Sequence, residues 1–231
     1  MSTPSRLVMV AEMQGRDLMR RHVALGLLVA LPVCFYLALA GRHETAVVPG
    51  GIATAFSIGG AAIFAVQSAR GVDRRLVLAG YHPAEIVLGR LAFLEVLALP
   101  LVAAVGTLMA LVSTPVRPFL LGLAVELVAI TAVPFGLAVG SLLPKELEAT
   151  LVLIGVVGIQ LSLDTDATLS RLLPFYGAHR LIDISTGDPG SVWAAVGVSL
   201  LYAAGLTALA LLLMARRVRI ERHSPMAQPA T

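Results

Sequence analysis

The sequence predicts an all-α fold: a polytopic membrane domain of six transmembrane helices, with an N-terminal interfacial helix and a short cytoplasmic helix between the second and third spans. Three observations predict it. The 231 residues are 58% hydrophobic and only 13% charged, with mean hydropathy +0.88, whereas soluble domains carry about 25% charged residues. A water-soluble fold of this length could not hide so much apolar surface, so the bilayer is the solvent. Apolar runs of helical length recur along the chain, and the charges gather in alternate connections between them.

The elements follow in chain order. Residues 1–22 form a cytoplasmic or interfacial segment. In it Leu7, Val10, Ala11, Gln14 and Leu18 share one helical face, with Glu12, Arg16 and Arg20 away from it. That pattern suits a helix lying along the inner leaflet. The membrane domain covers 23–215, with spans expected at 23–40, 46–69, 91–112, 119–143, 147–163 and 191–215. A crossing needs roughly 20 apolar residues, so the fifth span must stand upright. Pro32, Pro100 and Pro134 lie inside spans, where neighbouring helices can satisfy the freed carbonyls and a kink is expected. Small residues at Gly59, Gly60, Ala61 and Ala62, and at Gly155 and Gly158, suit close helix packing. Residues 164–190 are too polar to span yet half apolar. They are expected to form two short amphipathic helices broken near Pro174 and Gly177, re-entering the outer leaflet. Residues 216–231 form a cytoplasmic tail.

Arginine and lysine accumulate in short cytoplasmic loops and set orientation. Thirteen basic residues fall on one side: Arg6, Arg16, Arg20, Arg21, Arg70, Arg74, Arg75, Arg90, Lys145, Arg216, Arg217, Arg219 and Arg222. Four fall on the other: Arg42, Arg117, Arg171 and Arg180. Six spans with both termini in the cytoplasm, in the cell (plasma) membrane, satisfy this distribution. Ala38-Leu39-Ala40 resembles a signal-peptidase site, but the lead before it carries Glu12 and Asp17, so the first span is expected to stay uncleaved.

Several chemistries are excluded. A phosphate loop needs a lysine after its glycines, and the one lysine, Lys145, lies between Pro144 and Glu146. The histidines at 22, 43, 82, 179 and 223 are scattered, and Cys34 stands alone, so neither a metal site nor a disulfide is expected. Asp164 and Asp166 read as a solvated outer loop. Ser57, Ser141 and Ser199 have no histidine at matched depth. The basic balance is distributed by topology, not gathered into a nucleic-acid face. No catalytic residue is expected, and the chain is not read as an enzyme.

Two carboxylates lie within spans. Glu95 sits just past Arg90, near the inner interface. Glu126 lies about 13 Å inward from Arg117 at helical rise. A charge at the bilayer centre costs roughly 2.5–3.5 kcal/mol on insertion scales, so Glu126 is not expected to face lipid. It is either a packing residue or, with Glu95, part of a substrate path.

The remaining charge is concentrated in "RGVDRRLVLAGYHPAEIVLGRL", residues 70–91. Here "VDRRLVLAG" reads as a two-turn helix, with Leu76 and Leu78 apolar while Asp73, Arg74 and Arg75 face water. Gly80 suits its C-cap, and Pro83 precedes the next span. This run resembles the cytoplasmic loop of type-2 ATP-binding-cassette (ABC) exporter permeases. Arg70, Gly71, Leu76, Leu78, Gly80, Pro83, Ile86, Leu88, Gly89, Arg90 and Leu91 occupy that family's pattern. The resemblance extends along the chain: interfacial helix, six spans, short fifth span and outer re-entrant helices. It departs at residues 67–69, "QSA", where the family often has a glutamate before the Arg-Gly.

The resemblance implies that residues 72–80 form a coupling helix seated on a separate ATP-binding subunit, with Asp73, Arg74, Arg75, Leu76, Leu78 and Gly80 carrying the contact. It also implies a second permease, identical or related, giving twelve spans with a path between them. ATP would be bound by the partner subunit and no cofactor by this chain. The competing reading is an ion-coupled secondary transporter using Glu126 as its titrating group; a membrane enzyme is third, since no catalytic set shares one depth.

Overall fold

The computed structural model describes Met9, Glu12 and residues 22–40 and 46–223. Within these the secondary structure is all helical, without strands: α1 (His22–Ala40), α2 (Val47–Ser68), α3 (Arg70–Leu78), α4 (Pro83–Ser113), α5 (Pro118–Leu142), α6 (Glu146–Ser162), α7 (Tyr176–Thr186) and α8 (Val192–His223), with a 3-10 turn at Ser170–Leu172. Four of these helices, α2, α4, α5 and α8, are long and apolar enough to cross a membrane. The other two expected spans correspond to α1, 19 residues, and α6, 17 residues. The expected interfacial helix falls outside the described residues apart from Met9 and Glu12, both in helical backbone. Residues 224–231 of the expected tail also lie outside them, while α8 continues to His223.

The bundle is organised around α5, which packs against α2, α4, α6, α7 and α8. Small residues make this possible. A side chain at Gly136 of α5 would meet the Gly59 carbonyl and Ala62 of α2, and one at Gly140 would meet the backbone of Ile63. The two helices therefore touch backbone to backbone, as expected where packing rather than hydrophobicity drives association. Of the small residues noted in the sequence, Gly59 and Ala62 form this crossing, whereas Gly60, Gly155 and Gly158 meet nothing within 4 Å. Helices α1, α4 and α5 run unbroken through Pro32, Pro100 and Pro134. Tyr36 of α1 packs its ring on Gly50 of α2 and hydrogen-bonds Ser113 at the end of α4.

One expectation is refined and one corrected. The helix that carries the third expected span starts ahead of the apolar run at 91: α4 is one helix of 31 residues from Pro83, because Pro83 supplies a preset first turn and His82 caps it. The segment expected to re-enter the outer leaflet holds one α-helix, not two, since its first part is only the 3-10 turn at Ser170–Leu172. The break falls at residues 173–175, and Gly177 lies inside α7, where its missing Cβ admits the Ala195 carbonyl and Ser199 of α8. Phe175, fully buried, meets Phe135 of α5 edge to face at 5.9 Å.

Gly136→Ala should lower thermal stability by about 1–3 kcal/mol through overpacking, while Gly60→Ala, facing open space, should leave it unchanged. Unfolding of the two variants in the same detergent distinguishes them, and equal midpoints would contradict the backbone contact.

Candidate functional site

Helix α3 has nine residues, too few to be stable in isolation; tertiary contacts must hold it. The first is a buried ion pair. Arg90 Nη2 donates to Asp73 Oδ1 at 2.8 Å and Nη1 to Oδ2 at 3.4 Å, the parallel fork that guanidinium and carboxylate favour. Arg90 is 2% exposed and Asp73 4%. Asp73 therefore does not face water, contrary to the sequence reading. The spacing of Asp73, Leu76 and Val77 puts the three on one face of α3, and that face turns inward: Val77 is buried and Leu76 packs on the core. Arg74 and Arg75 remain exposed. Leu78 parts from Leu76 and stands 74% exposed.

The second contact ties the start of α3 to the end of α5. Gln67 Nε2 donates to the carbonyls of Gly140 (3.1 Å) and Leu143 (2.8 Å). Arg70 Nη2 donates to the same two at 3.4 and 2.6 Å. Carbonyls in a helix's last turn lack intrahelical partners, and a cation there also complements the helix dipole. Gln67 thus has a structural task in the segment where the sequence departs from the resembling family's pattern.

The third contact closes the other end of α3. Gly80 has φ +89°; its N–H donates to Val77 and that of Tyr81 to Leu76, at 3.1 and 3.0 Å. This is the Schellman arrangement, and it requires the left-handed conformation that glycine adopts without strain. The chain then restarts at once. His82 Nδ1 accepts from the Ala84 N–H while Glu85 accepts from the His82 N–H at 2.8 Å, a reciprocal cap on α4. Within two residues of Gly80, then, the backbone is again committed to helix. The result is a rigid connector whose free face presents Val72, Arg74, Arg75 and Leu78.

Glu95 and Glu126 lie elsewhere, within electrostatic reach of each other. An open groove of about 520 Å³ runs along the flank of the bundle between α4 and α5, lined by Leu99, Val102, Ala103, Gly106, Thr107, Ala110, Leu111, Pro118, Gly122 and Glu126. Its helices close up where Gly106 meets Gly122. Glu95 lies one turn before Leu99 on the same stripe of α4, and the two carboxylates interact electrostatically. Both are half-buried.

A separate polar cluster ties α6 to the segment between α6 and α8. Buried Gln160 of α6 donates to Ser170 Oγ at 3.1 Å and lies 3.4 Å from His179 Nδ1. Thr165 donates to Asp183 at 2.8 Å. Asp164 and Asp166 are exposed, and the described residues contain no group of three or more side chains that could hold a metal ion. Ser199 spends its hydroxyl on the Ala195 carbonyl of its own helix.

Sequence reasoning did not single out Gln67 or the role of Arg90. The available signal was Asp73, a lone acid among arginines, whose charge needed a partner once its helical phase placed it inward. No family model matches the chain, and no characterised protein matches it.

Breaking the buried pair by Asp73→Leu or Arg90→Met alone should cost about 3–5 kcal/mol, because each leaves an uncompensated buried charge. The double variant should recover most of that loss, as a thermal-unfolding cycle would show. His179 offers a pH test. Burial holds its imidazole down from 6.5 to about 4, with Asp164 opposing and Arg180 adding to the shift. The unfolded chain takes up this proton first, so stability is complete above about 6.5 and falls as pH drops toward 4. The unfolding midpoint should fall between pH 7.5 and 5, and His179→Gln should flatten that slope.

Proposed function

We propose that the chain is the membrane-spanning permease subunit of an ATP-binding-cassette exporter of the type-2 kind. In this reading α1, α2, α4, α5, α6 and α8 are six spans of a plasma-membrane protein with both termini cytoplasmic. Two such permeases pair, and a separate subunit binds and hydrolyses ATP. Helix α3 is the coupling helix, meeting that subunit through Arg74, Arg75 and Leu78, with Gly80 terminating the helix. Asp73 and Leu76 serve from its inner face.

One observation carries the reading: an exposed helix too short to stand alone has its first turn clamped to the apolar bundle and its end turned straight into α4. Displacing α3 must move α4, through Asp73–Arg90, and α5, through the Gln67 and Arg70 hydrogen bonds. Those two helices wall the groove that contains Glu126. A nucleotide-driven shift of the connector would thus reach the substrate path directly, provided ATP binds the two conformations with different free energy.

The secondary-transporter reading draws on the proximity of Glu95 and Glu126, since paired acids at membrane depth suit proton exchange. The two readings diverge in vesicles. An exporter subunit shows no ATP hydrolysis alone, co-purifies with a nucleotide-binding subunit, and transports only with ATP. The paired substitution Arg74→Ala and Leu78→Ala should weaken that association on the order of tenfold, as loss of exposed interface anchors does, without shifting the unfolding midpoint. Transport by the chain alone under a proton gradient would establish the carrier instead.

A further inference from the structure

We infer that the groove between α4 and α5 binds a lipophilic organic cation, an amine or quaternary centre on an apolar body, with Glu126 as its charge partner and Glu95 at one mouth. The inference rests on the reading of these two glutamates as a substrate path and adds the class of substrate.

The charge inventory sets the sign. Glu126 is the one charged residue between Arg117 and Lys145, and none lies between Glu95 and Arg117. The adjoining Arg90 is committed to Asp73. No hydrogen bond or ion pair is formed by Glu95 or Glu126 among the described residues; each carboxylate has the other's like charge as neighbour. A compensating positive charge must therefore come from outside, as a proton or a cation, because an unpaired carboxylate at this depth is strongly disfavoured.

The walls set the class. Beside Glu126, Thr107 is the only lining residue with a polar side chain. An inorganic cation stripped of water needs several oxygen ligands, which this groove lacks, and an anion is repelled. A cation that carries its own apolar surface loses little on leaving water, and gains from both the apolar walls and the carboxylate. Volume and placement agree. About 520 Å³ lies within the range of small-molecule sites. Leu99, Thr107 and Leu111 are exposed along the flank, so the site is reached from the side of the bundle, where an amphiphile dissolved in the membrane would arrive. Gly106 and Gly122 keep the two helices close beneath it, making a shallow trough rather than a tunnel.

The probe is tetraphenylphosphonium, with tetraphenylborate as its anionic counterpart of similar shape. Equilibrium binding is measured to the full chain in lipid nanodiscs, without any ATP-binding subunit. Expected is saturable tetraphenylphosphonium binding that tetraphenylborate does not displace. Binding should weaken on the order of tenfold or more in Glu126→Gln, the loss typical of removing one member of a desolvated charge pair. Ala103→Trp, which fills the groove from an exposed wall position, should abolish binding with both carboxylates intact. Asp164→Asn, remote from the groove, should bind as wild type. Equal affinity in wild type and Glu126→Gln, or equal displacement by the borate, would overturn the proposal in favour of simple partitioning or of a proton at Glu126. Since no ATP-binding subunit is present, failure of the coupling reading leaves this result standing. Conversely, intact subunit association with no cation binding removes only the substrate class.

Discussion

The Asp73–Arg90 pair is the constraint on which the connector depends. Helix α3 has little apolar surface to bury, and nine residues cannot nucleate and hold a helix unaided. Desolvating two charges is expensive, and such pairs often contribute little net stability compared with apolar substitutes. Their value here is geometric. The fork of two parallel hydrogen bonds admits one relative placement of α3 and α4, whereas a leucine contact would tolerate sliding and rotation.

The second placement comes from α5. Its last carbonyls need donors, and Gln67 and Arg70 supply them from the junction between α2 and α3. Because α5 also touches α2 through the Gly136 and Gly140 contacts, it has almost no freedom to move alone. The connector is thus fastened to the helix at the centre of the bundle and to the helix beside it. Between those two lies the groove with Glu126. The exposed connector is tied to the same two helices that line the groove, so no long chain of intermediates separates them.

Much of this architecture was legible from residues read singly. Composition and run length identified apolar helices, and α2 and α5 each lie within a residue or two of the expected spans. Gly80 and Pro83 marked the turn because each restricts its own backbone. What was not legible depended on phase and partner. Asp73 shares one helical face with Leu76 and Val77, but nothing local says that this face turns toward Arg90 of α4. Gln67 read as a mere departure from a family pattern, because its partners lie more than 70 positions along the chain. Glu95 read as an acid near the inner interface and Glu126 as one deep inside its span, yet only the packing of α4 beside α5 brings them within electrostatic reach.

The sequence by itself determined that this chain is helical and apolar enough to cross a membrane, and that its charge is concentrated in one punctuated connector. These are consequences of hydropathy and backbone preference, which act over a few residues at a time. Only the tertiary structure decided which charges are spent on holding the connector and which remain outside. It also decided that Glu126 lines a groove between α4 and α5 with Glu95 within electrostatic reach. Pairings of that kind depend on how helices pack, and packing is settled by the shapes of many side chains at once.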